Sequence, residues 1–106
     1  MKVSQFTNER GVAVRNQFII EDEGRGANGN FLKKTTFQSY DSVIAVITLW
    51  SLDGENSKEV EIDENYWDYS KTTGKYRNQF LGEDKKETEK KIKAGVYKLT
   101  DLNKAK

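Results

Sequence analysis

The chain has 106 residues, of which 35% are hydrophobic and 33% charged, with a net charge of +1. That composition supports one small domain over residues 1–106, with a modest core and a heavily charged surface. Cysteine and histidine are both absent, which excludes disulfides, thiolate chemistry, cysteine-based zinc sites and imidazole as base or ligand. Any metal would have to be a hard cation held by oxygens, and the expectation is no metal and no cofactor.

No apolar run approaches the roughly 20 residues of a membrane span. The start, Met1-Lys2-Val3-Ser4-Gln5, lacks the apolar stretch of a signal peptide, so a cytoplasmic location is expected. Charge is unevenly spread. Residues 53–68 hold seven acids against one lysine, a local −6, and residues 69–106 hold eleven Lys/Arg against five acids, a local +6. Such asymmetry marks either a basic binding face or simply opposite solvated surfaces.

In chain order, residues 11–20 read as a first strand, with Val12, Val14, Phe18 and Ile20 at period-two spacing and Asn16 breaking the set. Three glycines and two asparagines within residues 21–30 read as a loop. Residues 31–40 form a second strand, and Asp41-Ser42 a turn. The run 43–50, apolar on both faces and β-branched, reads as the central strand. Asp53-Gly54 marks a hairpin turn. Residues 59–63 alternate acids with Val60 and Ile62, a half-exposed strand.

Helical spacing begins at Tyr69, with Thr73, Tyr76 and Phe80 completing one stripe. Asp68 or Ser70 is the candidate N-cap and Gly82 the stop, with a weak point at Thr72-Thr73-Gly74. A second helix starts on the capping-box pattern Asp84-Lys85-Lys86-Glu87 and closes at Gly95. Residues 96–99 read as a last short strand, and residues 103–106 as a frayed tail. The expected fold is α+β: a small single domain with an antiparallel sheet of four or five strands, two helices after the meander, and a short C-terminal strand. Phe18, Phe37, Ile44, Val46, Trp50, Trp67, Tyr76, Phe80 and Leu81 are its expected core.

Residues 65–82 carry the densest chemistry, interleaving Tyr66, Trp67, Tyr69, Tyr76 and Phe80 with Lys71, Lys75 and Arg77. Aromatics beside cations serve partner binding or base stacking. The plainer alternative is that the aromatic stripe is core and the cations its solvated back. The acids Asp63, Glu64 and Asp68 could form a catalytic pair, but a strand edge and a helix start attract acids without catalysis. The serines lack a histidine to activate them, and Gly74-Lys75 lacks a phosphate-loop lead-in. On the helix, Lys71, Lys75 and Asn78 share a face, with Arg77 adjacent and Lys85, Lys86, Lys90, Lys91 and Lys93 downstream. This is a possible phosphate-contacting surface, although a pI near 7.8 is low for a dedicated nucleic-acid binder.

Two segments together carry a resemblance: Phe37-Gln38-Ser39-Tyr40-Asp41-Ser42 with Ile44-Ala45, and Tyr66-Trp67-Asp68-Tyr69-Ser70 continuing through Thr72-Thr73 and Lys75-Tyr76-Arg77-Asn78-Gln79-Phe80-Leu81-Gly82. Both resemble a family of small uncharacterised proteins from bacteriophages, mobile elements and their hosts. The resemblance implies no catalytic residues. It implies a non-enzymatic accessory protein in the host cytoplasm that binds and occludes a host protein, with a defence nuclease as one target in the manner of an anti-CRISPR. The alternative is a nucleic-acid-binding accessory protein using the basic helix face. The candidate binding residues are Tyr66, Lys71, Thr72, Lys75, Arg77 and Asn78. Oligomeric state is left open.

Overall fold

The computed structural model describes residues 1–26 and 29–104. It contains six strands, β1 (Lys2–Thr7), β2 (Ala13–Arg25), β3 (Phe31–Ser39), β4 (Ser42–Leu52), β5 (Glu55–Asp63) and β6 (Lys98–Thr100). Two helices, α1 (Lys71–Leu81) and α2 (Lys85–Lys93), lie between β5 and β6. The strands form one sheet in sequential order, antiparallel from β1 to β5, with β6 parallel to β5. The last pairing is parallel because the two helices form a crossover that returns the chain alongside Glu61–Asp63, the last residues of β5, running in the same direction. The α+β expectation therefore holds, with a sheet extended at its N-terminal edge by β1.

Local chemistry explains the turns. Asp53 and Gly54 both adopt positive φ, 52° and 85°, the two-residue hairpin that an Asp-Gly pair favours. The other tight turn is Tyr40-Asp41, because Ser39 pairs with Ser42. Tyr40 takes φ 56° there and its N–H donates to Asn16 O.

The expected loop over residues 21–30 is mostly strand, with β2 running on to Arg25. Asp22 lies opposite Lys34 and Glu23 opposite Lys33, and such cross-strand pairs of opposite charge offset the poor strand propensity of the segment. Residues 27 and 28 of that expectation lie outside the described residues.

Both helices cover one face of the sheet. A first cluster joins Phe6, Phe37, Ile44 and Tyr76, and a second joins Ala45, Val60, Ile62 and Tyr97. Phe80 packs against both. The expected core is right for Phe37, Ile44 and Tyr76, and Trp67, Phe80 and Leu81 pack at its margin.

Phe18 and Trp50 are corrections. Asn16 sits at φ 65° where the β1–β2 register shifts, Gln5–Thr7 lying against Ala13–Phe18, and the odd number of extra residues on β2, three, flips the pleat. Val14 points to the helices before it, and Ile19 after it. Phe18 therefore turns to the uncovered face. Trp50 shares that face with Val46 and Leu32, since Leu32 pairs with Trp50 and Thr36 with Val46. Val46 is buried there by its sheet neighbours, whereas Trp50 is half-buried.

The expected frayed tail is pinned at Asn103, whose side chain accepts from Val43 N and donates to Val43 O. Residues 105–106 lie outside the described residues. Asp63, buried at the end of β5, accepts from the N–H groups of Asn65, Tyr66 and Leu102. It anchors the chain's departure toward α1 and its return after β6.

Candidate functional site

Ser70, rather than Asp68, caps α1. Its Oγ accepts from Thr73 N, and Gly82 closes the helix in the left-handed conformation. Inside this first turn Thr73 is fully buried, with Oγ1 bonded to Ser39 Oγ on β3. That contact fixes where the helix start meets the sheet. Tyr69, expected in the inner stripe, lies before the cap, 45% exposed, in an edge-to-face pair with the 38%-exposed Tyr66 at 5.6 Å. The inner face of α1 is instead Thr73, Tyr76 and Arg77, with Phe80 below.

Arg77 is the main correction to the candidate site. It was expected on the solvated side, yet its side chain is 1% exposed. The guanidinium lies 5.0 Å from the Trp67 ring centroid. Nη1 donates to Trp67 O at 2.6 Å and to Asp68 Oδ1 at 3.2 Å, and Nη2 to Asn78 Oδ1 at 3.0 Å. A planar donor fork that also stacks on an aromatic suits this position in a way lysine would not.

Gly74 lies against the guanidinium. A Cβ built there would lie 3.7 Å from both Nη1 and Nη2. The helix runs unbroken through this glycine, contrary to the irregularity its propensity suggested. Because 3.7 Å is ordinary contact, Gly74→Ala is expected to raise stability by about 0.5–1 kcal/mol through helix propensity. A thermal melt checks this, and a fall in the midpoint would show that the guanidinium needs the glycine.

Around this buried cation lies an open notch of about 590 Å³, lined by Asp68, Ser70, Lys71, Gly74, Lys75, Arg77, Asn78 and Lys85. The Asp68 carboxylate bridges two walls, accepting from Arg77 through Oδ1 and from Lys85 Nζ through Oδ2 at 2.6 Å. Burial alone would raise the Asp68 carboxyl, but the hydrogen bonds from Lys85 and Arg77 outweigh it and hold the group below its ordinary range. The same bond to Asp68 raises Lys85. Lys75 reaches over the edge of Tyr76, 5.5 Å from its centroid.

Of the six candidate residues, Lys71, Lys75, Arg77 and Asn78 meet in the notch. Tyr66 and Thr72 are exposed outside its lining. The notch also takes in Asp68, Ser70, Gly74 and Lys85, which are not among the six candidates. Lys85 enters from the next helix, and only the α1–α2 packing brings it there. Asp68 and Gly74 carried a signal of sorts, since an acid two residues before the cap and a glycine one turn before an arginine are unusual company.

The other acids considered for catalysis, Asp63 and Glu64, do not line the notch. Asp63 is consumed by backbone N–H groups and Glu64 is exposed. The notch itself presents cations and hydrogen-bond donors, the chemistry of holding an anionic group.

A family model of unknown function matches residues 1–95, which include the whole notch. The chain belongs to the DUF8033 family. No curated protein and no solved structure matches it. The DUF8033 match spans the sheet through β5 and both helices. Among the described residues no helix is long and apolar enough to cross a membrane.

Proposed function

We propose that this DUF8033 protein is a non-enzymatic binding protein of a phage or mobile element. It acts in the host cytoplasm by docking on and occluding a host protein, with a defence nuclease as the target class, in the manner of an anti-CRISPR. The observation that carries this reading is the pairing of two exposed tyrosines, Tyr66 and Tyr69, with a cationic notch on the same helix start. Aromatic anchors beside charge are the usual centre of a protein interface. A nucleic-acid partner draws on fewer free cations than the lysine count suggests, because Arg77 is buried, Lys85 is bonded to Asp68 and Lys91 to Glu83.

The test is capture from host lysate with the tagged protein, alongside a Tyr66→Ala/Lys75→Glu variant shown by circular dichroism to be folded. The wild type is expected to retain one host protein that the variant loses, and the purified chain to inhibit that protein's activity. Equal retention by both proteins would sink the proposal.

A further inference from the structure

We infer that the notch beside the start of α1 is a receptor for a single oxyanion, a carboxylate or phosphoryl group presented by the bound protein. The source of the anion rests on the functional reading above; the receptor itself stands on geometry.

Four cationic side chains, Lys71, Lys75, Arg77 and Lys85, and one acid, Asp68, line the notch, a lining charge of +3, with Glu89 outside the lining 3.9 Å from Lys85. Among the described residues, Arg77 and Lys85 share Asp68 while Lys71 and Lys75 have no acid within ion-pair distance. Asp68 is the molecule's own demonstration of the chemistry, since its carboxylate already takes hydrogen bonds from Arg77 and Lys85.

The second observation lies within the notch wall. Arg77 is 99% buried, and its Nε finds no acceptor in the protein. A buried donor left open is costly, and Arg77 is one of the side chains that line the notch. A third feature adds to these. Ser70 Oγ satisfies only Thr73 N, and Gly74 N bonds Ser70 O, so the first-turn N–H groups of Lys71 and Thr72 have no intrahelical partner. They sit at the positive end of the helix dipole. Gly74, lacking a side chain, keeps the approach over the guanidinium open.

The charge balance also says what would tune the receptor. Asp68 competes with an incoming anion for Arg77 and Lys85. Its removal should therefore strengthen binding, an effect no purely structural role of Asp68 would produce.

The experiment is an NMR titration of the isotope-labelled chain with inorganic phosphate, and separately with acetate, at constant ionic strength set by chloride. Saturable shifts are expected at the amides of Lys71, Thr72 and Gly74 and at Arg77 Nε. The Lys71→Gln/Lys75→Gln variant is expected to weaken phosphate about tenfold, the sum of two partly exposed charge contacts. Asp68→Asn is expected to tighten it severalfold, and Lys93→Gln, on the far end of α2, to change nothing. Stronger saturation by phosphate than by acetate assigns a phosphoryl group, and the reverse assigns a carboxylate. Shifts that grow linearly, spread over the surface and persist in the lysine variant would overturn the receptor.

Failure of the two readings is distinguishable. Host-protein capture without anion saturation removes the receptor and leaves the binding function. Anion saturation without capture does the opposite.

Discussion

Arg77→Met is expected to destabilise the fold by about 3 kcal/mol, the low end of the range for stripping one partner from a buried charged network. The substitution keeps the apolar stem and removes every donor. Trp67 O loses its 2.6 Å bond, and Asn78 Oδ1 and Asp68 Oδ1 lose theirs. The stack on Trp67 disappears as well. The cost stays at the low end because Asp68 is a third exposed and keeps Lys85. Arg77→Lys should recover less than half of the loss, since an ammonium cannot serve the carbonyl and the amide oxygen together. Urea denaturation followed by tryptophan fluorescence measures both variants, with Trp67 reporting directly on the stack. A loss below about 1 kcal/mol for Arg77→Met would mean the guanidinium is not the strut that joins the Trp67 segment to α1.

A second large effect is expected at Glu83, between the two helices. Its carboxylate, 7% exposed, accepts from Thr88 Oγ1 at 2.7 Å, Lys91 Nζ at 2.7 Å and Tyr97 OH at 2.6 Å. It thereby ties α2 and the start of β6 to the end of α1. Glu83→Ala should cost about 2–3 kcal/mol, because the buried hydroxyls of Thr88 and Tyr97 lose a charged acceptor.

The pH dependence follows from the same group. Burial alone would raise the Glu83 carboxyl, but the bonds from Lys91, Tyr97 and Thr88 outweigh it and hold the group below its ordinary 4.5. Asp68 is likewise held below 3.8. A carboxyl lowered on folding contributes its full stability above the unfolded value and loses it as pH falls through the folded one. Stability is therefore expected to decline below about pH 4.5, and the Glu83→Gln variant to show a flatter acid limb.

Tyr97 acts at the other end. Burial and the Glu83 carboxylate push its hydroxyl from 10.0 up to about 12. Its contribution is complete below pH 10 and is lost as pH rises toward 12. Equal acid limbs in wild type and Glu83→Gln would contradict the role given to Glu83.

Much of the fold was legible because it follows from local rules. Asp53-Gly54 specifies a hairpin by backbone conformation, the 43–50 run specifies a buried strand by β-branching, and Asp84 and Gly95 bracket α2 by capping. What misled was anything depending on a count along the chain. The irregular stretch around Asn16, with three more residues on β2 than on β1, reverses which side of β2 is inward, so a period-two reading carried across it assigns Phe18 to the wrong face. β1 escaped notice because Phe6 is its one buried residue. The half-polar segment 21–25 looked like a loop because its support comes from lysines on the opposing strand.

The candidate site divides in the same way. Its location at residues 65–82 was readable, since aromatics and cations crowd there, and four of the six candidate residues do meet in one notch. The role of Arg77 was not. Helical spacing puts it next to Tyr76 but cannot say that Trp67, outside the helix, folds back over it. Nor could spacing bring Lys85 of α2 to Asp68. Composition and pattern by themselves determined the class of fold, the order of its elements from β2 onward and the segment where charge meets aromatic. Tertiary structure alone decided which face of each element is inward and which cations stay free. Those outcomes turn on bulges and inter-element contacts, whose energies arise between residues far apart in the chain.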